Sequence, residues 1–208
     1  MVPLFSWFSK PEEDKDDSLY LTPSRGEETP GEIEFMESAW TDNRLYKAKL
    51  PPGVTTSAQY FAERNSTAVS TCYDAPVITF SHFLPNVEVL LATDEDERYV
   101  REERRLNGVT APLPPLQGSS ARINFTRYAG SKRLQRQIEQ VHAQVHVFGH
   151  QHRNRDRKVG GVRFVSHCLG NPRDRVDGWT WGFNEWKGPK QIWPQAERKE
   201  GNLQCVNF

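Results

Sequence analysis

Two adjoining segments decide the fold: Ser131-Lys-Arg-Leu-Gln-Arg-Gln-Ile-Glu-Gln-Val-His142, then Ala143-Gln-Val-His-Val-Phe148-Gly-His150-Gln-His152. Leu134, Ile138, Val141 and Val145 fall at i, i+4, i+7 and i+11, an apolar stripe that predicts a helix over Ser131–His142. Val145–Phe148 is β-branched and aromatic, so a strand follows at once and Gly149 ends it. Strands interleaved with helices in this way make the chain α/β or α+β.

Working outward, Gly160-Gly161 reads as a hairpin turn into the alternating strand Val162-Arg-Phe-Val-Ser166. Upstream, Val77-Ile-Thr-Phe-Ser81 is a second β-branched run, and Pro85 halts any further ladder. Ser57–Asn65 suits a short helix with Ser57 as cap, and Asp94–Leu106 a charged surface helix. Val109–Gly118 carries three prolines and reads as a loop, while Trp40–Lys49 fits no single pattern. Val2, Leu4, Phe5, Trp7 and Phe8 crowd into a buried strand or strand end. Residues 9–34 are acidic and hold Pro11, Pro23 and Pro30, which predicts a surface loop or a locally disordered insertion. Trp179, Trp181, Trp186 and Trp193 read as packing residues.

A chain of 208 residues suffices for one domain with a buried core. Its apolar share is 36%, low enough that part of the chain should lie outside that core. Lys plus Arg equals Asp plus Glu at 27 each, so no excess charge points to nucleic acid or an anionic membrane. No stretch approaches the roughly 18 apolar residues of a membrane span. The start lacks the basic and apolar regions of a signal peptide. Cys72, Cys168 and Cys205 are widely spaced and form no CxxC, so they are expected reduced, in a cytoplasmic setting.

The chemistry gathers at two strand ends. One is Val77-Ile-Thr-Phe-Ser-His82, the other Val145-His-Val-Phe-Gly-His150-Gln-His152. A strand end presents a side chain at the rim of a sheet while the strand fixes its position. Gly149 is read as allowing a tight turn beside the imidazoles. His150 and His152 are close enough to serve one metal or two adjacent metals, and neutral imidazole suits zinc, iron and other divalent transition metals. Adjacent parallel strands would bring His82 beside them. His142 and His146 are expected to be structural, because the strand interrupts the helical spacing between them. His167 follows the hairpin strand and is not assigned to the site. Arg153, Arg155, Arg157 and Lys158 read as a solvated loop, with Asp156 among them.

Val147-Phe-Gly-His150-Gln-His152, the hairpin at Gly160-Gly161 and the turn Gly170-Asn171-Pro172-Arg173 together resemble the C-terminal signature of calcineurin-like metallophosphoesterases. Ile78-Thr-Phe-Ser-His82-Phe-Leu-Pro85 is similar to that family's penultimate motif, and Val2-Pro-Leu-Phe-Ser-Trp7 looks like a core strand of one subgroup. The resemblance covers most of the chain, residues 9–34 and 86–120 least. It implies a layered αββα sandwich, to which this chain would contribute mainly the second sheet and its helices. It also implies a site for two divalent metal ions (Mn, Fe or Zn) and a phosphate ester substrate. His82 and His150 would bind one metal and His152 the other.

The chain departs from the family in what it lacks. The family uses an Asp-x-His, a Gly-Asp with a bridging carboxylate, and a Gly-Asn-His whose histidine protonates the leaving group. None of these occurs here; Gly170-Asn171 runs into Pro172 and Gly201-Asn202 into Leu203. The expectation is a partial domain whose N-terminal half is missing, with no catalytic residue to name and weak or absent turnover alone. Asp74 and Asp174 are the carboxylates to test first, being near the two signature segments. Two other readings stay open: a non-catalytic binding or scaffold relative, and a single-metal hydrolase with a three-histidine zinc site.

Overall fold

The computed structural model describes residues 1–46, 49–110, 124–176, 180–182 and 188–193, with the backbone alone at 44–45. In chain order it places β1 at Val2–Pro3, α1 at Pro30–Ala39, α2 at Thr41–Leu45, α3 at Ser57–Arg64 and α4 at Ser66–Ser70. There follow β2 at Val77–Phe80, α5 at Val87–Leu90, α6 at Asp94–Leu106 and a 3-10 turn at Phe125–Tyr128. The chain continues with α7 at Lys132–Gln140, β3 at Ala143–Val147, β4 at Arg155–Val159, β5 at Val162–Ser166 and α8 at Pro172–Val176. The fold is mixed α/β, built on one five-stranded sheet in the order β1-β2-β3-β5-β4. Within this sheet the β4–β5 pairing is antiparallel and the β1–β2, β2–β3 and β3–β5 pairings are parallel.

Local chemistry sets the element ends. The Ser131 side chain accepts from the Arg133 N–H and starts α7 one residue later than the stripe alone predicts. The helix stops at Gln140, because His142 takes a left-handed φ of 51° and swings the chain straight into β3. At α3 the cap is Thr56, which accepts from Gln59 N–H at 3.1 Å, and not Ser57. Gly160 and Gly161 both have positive φ, as a tight two-residue hairpin turn requires. The proline-rich loop from 111 onward, Trp179, Trp186, Gly201-Asn202 and Cys205 lie outside the described residues.

Rows across the sheet distinguish its faces. Val2, Thr79, His146 and Phe164 are successive cross-strand neighbours, and all are buried. Val2 and Phe164 share a core cluster with Leu134 and Ile138 of α7, so this face packs on the helix. The next row, on the opposite face, is Pro3, Phe80, Val147 and Val165. Here Phe80 is 43% exposed, Pro3 is exposed and Val147 half-buried, so the β1–β2 side of this face remains open and apolar.

Residues 9–29 form an irregular loop, but not a loosely packed one. Leu19 is wholly buried, Ser9 and Ser131 share a hydroxyl hydrogen bond of 2.8 Å, and Ser18 bridges to Ser131. Asp14 and Asp17 pair with Arg133, and Asp17 also with Arg136, both arginines lying on α7. Glu28 pairs at 2.9 Å with Arg127, and both side chains are almost fully buried. Residues 30–34 lie in α1, where Pro30 sits in the first turn beside a Thr29–Glu32 capping box. Four of the acidic residues that suggested solvation, Glu12, Asp14, Asp17 and Glu28, are counter-ions for α7 and the 3-10 turn.

Candidate functional site

His82 and His150 sit just beyond the C-terminal ends of β2 and β3, which are adjacent and parallel. The geometry is the expected one: 68 residues apart in sequence, the two rings lie with centroids 4.9 Å apart. His150 Nδ1 is 3.1 Å from His82 Nε2, and His150 Nε2 is 3.0 Å from the Tyr128 carbonyl oxygen. A carbonyl only accepts, so His150 carries its proton on Nε2 and presents a lone pair at Nδ1. His82 Nε2–H then donates to that lone pair.

An aromatic box surrounds His150: Phe83, Phe125 and Trp40 have ring centroids 4.5, 5.2 and 5.8 Å away. Burial in it, reinforced by His82, pushes the His150 pKa down to about 3. Burial also lowers the His82 pKa, more than Asp42 restores it. Both imidazoles are thus held neutral, the form that ligates metal.

The spacing of the pair would also suit a metal. Two imidazole nitrogens on one tetrahedral zinc lie about 3.3 Å apart, given Zn–N bonds of about 2.0–2.1 Å. The observed 3.1 Å is close to that. The carbonyl bond on the far nitrogen of His150 is the kind of support that fixes a ligand's tautomer. His82 alone would need to move its proton, from Nε2 to Nδ1. Among the described residues no three His, Cys, Asp or Glu side chains form a metal-holding group, so the arrangement is a pair rather than a cage.

His152 is held differently. Its Nδ1 lies 2.7 Å from Oδ2 of Asp174, whose same oxygen accepts from Asn171 Nδ2 at 2.6 Å. Asp174 N–H returns a bond to Asn171 Oδ1 at 2.9 Å, so the turn into α8 fixes the carboxylate. With its Nδ1 engaged, His152 keeps Nε2 for another partner. His150 and His152 both have left-handed backbones, at φ 67° and 56°. Such values are costly for side chains other than glycine and cluster at functional turns. The turn therefore strains the histidines themselves. Gly149 is not the left-handed residue, and a Cβ there would meet His82 only at ordinary contact distances of 3.7 and 3.8 Å.

Several other expectations meet the structure here. Asp174 does join the site, but Asp74 does not: it precedes the N-terminal end of β2, while the histidines lie past the C-terminal ends. His146 is a core residue, fully buried between Thr79 Oγ1 at 2.8 Å and Ser81 Oγ at 3.0 Å, with its pKa pushed by burial to about 3. His142 is exposed at the α7–β3 turn. His167 bonds the Gly188 carbonyl at 3.0 Å. Arg153 and Arg155 are not solvated: both are buried, with guanidinium carbons 4.2 and 5.3 Å from the Trp181 ring centre.

Tyr128 and Phe125 were not singled out from the sequence, although the Asn124 cap before them is a readable signal. Gly130 holds this segment in place, for a Cβ there would fall 1.8 Å from the Leu84 carbonyl oxygen. That contact, with the Ser131 N–H donating to Leu84 O at 3.1 Å, clamps the Tyr128 carbonyl next to the His82 loop. The chain matches no family model, no curated protein and no solved structure. The phosphoesterase reading accordingly rests on the residues themselves.

Proposed function

We propose that this chain carries the histidine half of a metal-dependent phosphoesterase site of calcineurin-like type, in a layered sandwich whose other sheet is supplied elsewhere. The observation that carries the reading is the 3.1 Å approach of His82 Nε2 and His150 Nδ1 at the ends of adjacent parallel strands. His82 and His150 would be two ligands of one divalent ion, and His152, oriented by Asp174, would offer Nε2 to a second. When bound, such ions supply Lewis acidity and lower the pKa of a water toward neutrality. The chain's own contribution is to hold His82 and His150 neutral by burial and to orient all three imidazoles at the sheet rim. The open strip at Pro3, Phe80 and Val147 supports a sheet-on-sheet arrangement, since such apolar strand residues ordinarily pack on a second layer.

The test is calorimetric titration with zinc and manganese, against His82→Ala and His150→Ala. A single transition-metal site lost in both variants supports the assignment; equal binding by all three proteins defeats it. Turnover of a generic phosphodiester should stay negligible until a polypeptide carrying the missing carboxylate motifs is added. A second reading, a non-catalytic relative, is favoured by one observation: among the described residues the histidines have no carboxylate placed to bridge two ions. It predicts metal binding without turnover under any complementation.

A further inference from the structure

A cavity of about 740 Å³ opens on the β4–β5 hairpin, lined by Arg155, Ser166, Tyr99 and Pro189 among others. That volume lies in the range of small-molecule pockets. Arg155 and Ser166 are direct cross-strand partners, so their side chains stand side by side on one face. Both are buried, at 5% and 2% exposure. Both also hold polar atoms with no hydrogen-bond partner: Arg155 Nε and Nη2, and the Ser166 hydroxyl. Arg155 Nη1 donates to the Val89 carbonyl, which fixes the guanidinium plane and leaves the Nε–Nη2 edge unused. A buried guanidinium edge and a buried hydroxyl without partners are both costly, and a bound ligand would relieve both together. The same burial lowers the Arg155 pKa to about 9.

The other cations of this cavity are already engaged. Arg157 pairs with Asp96, and Lys190 with Asp156. The lining therefore holds Arg155, Arg157 and Lys190 against Glu95, Asp96 and Asp156, three of each sign. A ligand with one negative charge on two coplanar oxygens matches the single unused fork, whereas a phosphate dianion would add repulsion from three carboxylates.

We propose that this cavity binds a small-molecule carboxylate, received bidentate by Nε–H and Nη2–H of Arg155 with the Ser166 hydroxyl as a third donor. The site is separate from the histidine pair and takes no part in the phosphoesterase reading. It is tested by thermal unfolding of the full chain at pH 7 in rising acetate, with ionic strength held constant by chloride and with phosphate as a parallel series. Acetate should raise the midpoint saturably. Arg155→Met should remove the response, and Ser166→Ala, a one-atom change that leaves the hairpin intact, should weaken apparent acetate affinity about tenfold. The proposal is overturned if acetate leaves the wild-type midpoint unchanged, if Ser166→Ala responds as wild type does, or if phosphate stabilises where acetate does not.

Discussion

His152 Nδ1 lies 2.7 Å from Oδ2 of Asp174, a residue 22 positions further along the chain and outside every histidine motif. The contact turns a strained loop imidazole into an oriented one, with a single ring nitrogen left to act. Outer partners of this kind are worth about 10–100-fold in metal affinity. If the proposed two-ion site holds, Asp174→Asn should weaken the His152-dependent ion by about that factor, measured in the complemented protein by calorimetry. Unchanged affinity would make Asp174 a turn residue only.

The left-handed backbone at His150 separates side-chain loss from backbone strain. Asn tolerates that region and Ala does not, the penalty for an ordinary residue being about 1–2 kcal/mol. Both His150→Asn and His150→Ala lose an imidazole, but the Asn variant should be the more stable by about 1 kcal/mol in urea titration. Equal midpoints would indicate that the turn relaxes once the ring is gone.

His146 makes the fold sensitive to acid. Its folded pKa of about 3 lies below the ordinary value of 6.5, so the unfolded chain binds the proton more readily. Stability is complete above about pH 6.5 and falls as pH drops through the window down to about 3, by up to about 1.4 kcal/mol per pH unit. Urea unfolding at pH 7 and pH 5 should show the decline. His146→Gln should reduce the slope by about one proton. A slope identical to wild type would place the sensitivity elsewhere.

The loop at 9–29 shows what composition conceals. Acidic residues and prolines predict solvation, and the sequence does not reveal that Asp14, Asp17 and Glu28 meet arginines more than 90 residues away. By contrast the His82–His150 meeting was legible, because each histidine ends a β-branched run and parallel strands align such ends. Asp174 was visible only as a nearby carboxylate, since its reach to His152 depends on a turn. Arg155 and Ser166 were not legible at all. Five residues reading Arg-Asp-Arg-Lys-Val look solvated, and only the hairpin register places Arg155 in a buried pair.

The Arg127–Glu28 pair offers a direct check on that loop. Both side chains are nearly buried, and Arg127 also reaches Glu12. Removing one partner of a buried pair costs about 3–5 kcal/mol where the other is left uncompensated; Glu12, which is half-exposed, still meets Arg127, so the loss of Glu28 falls at the low end. Glu28→Ala should lower stability by about 3 kcal/mol and admit protease into residues 9–29. Early cleavage of the wild-type chain there would contradict the packing described above.

Gly130 is the remaining mechanical point. A methyl group 1.8 Å from the Leu84 carbonyl oxygen meets backbone, which cannot rotate away. Gly130→Ala should cost about 3 kcal/mol or more in chemical denaturation. On the proposed metal site it should also weaken zinc binding, because the Tyr128 carbonyl that holds the His150 tautomer moves with it. Wild-type stability in this variant would show that the two segments can part without consequence.

The strand order has a consequence in time. β4 and β5 meet across the two glycines at 160 and 161, so this hairpin can close within microseconds of collapse. β2 joins β3 only after a crossover spanning both α6 and α7, a far larger loop-closure penalty. The Arg155–Ser166 pair is thus local in sequence, whereas the Val89 carbonyl that holds Arg155 and the His82–His150 meeting depend on contacts 66 and 68 residues apart. The hairpin pair can therefore form long before either the full cavity or the histidine pair, and the imidazoles come together only when β2 has joined β3.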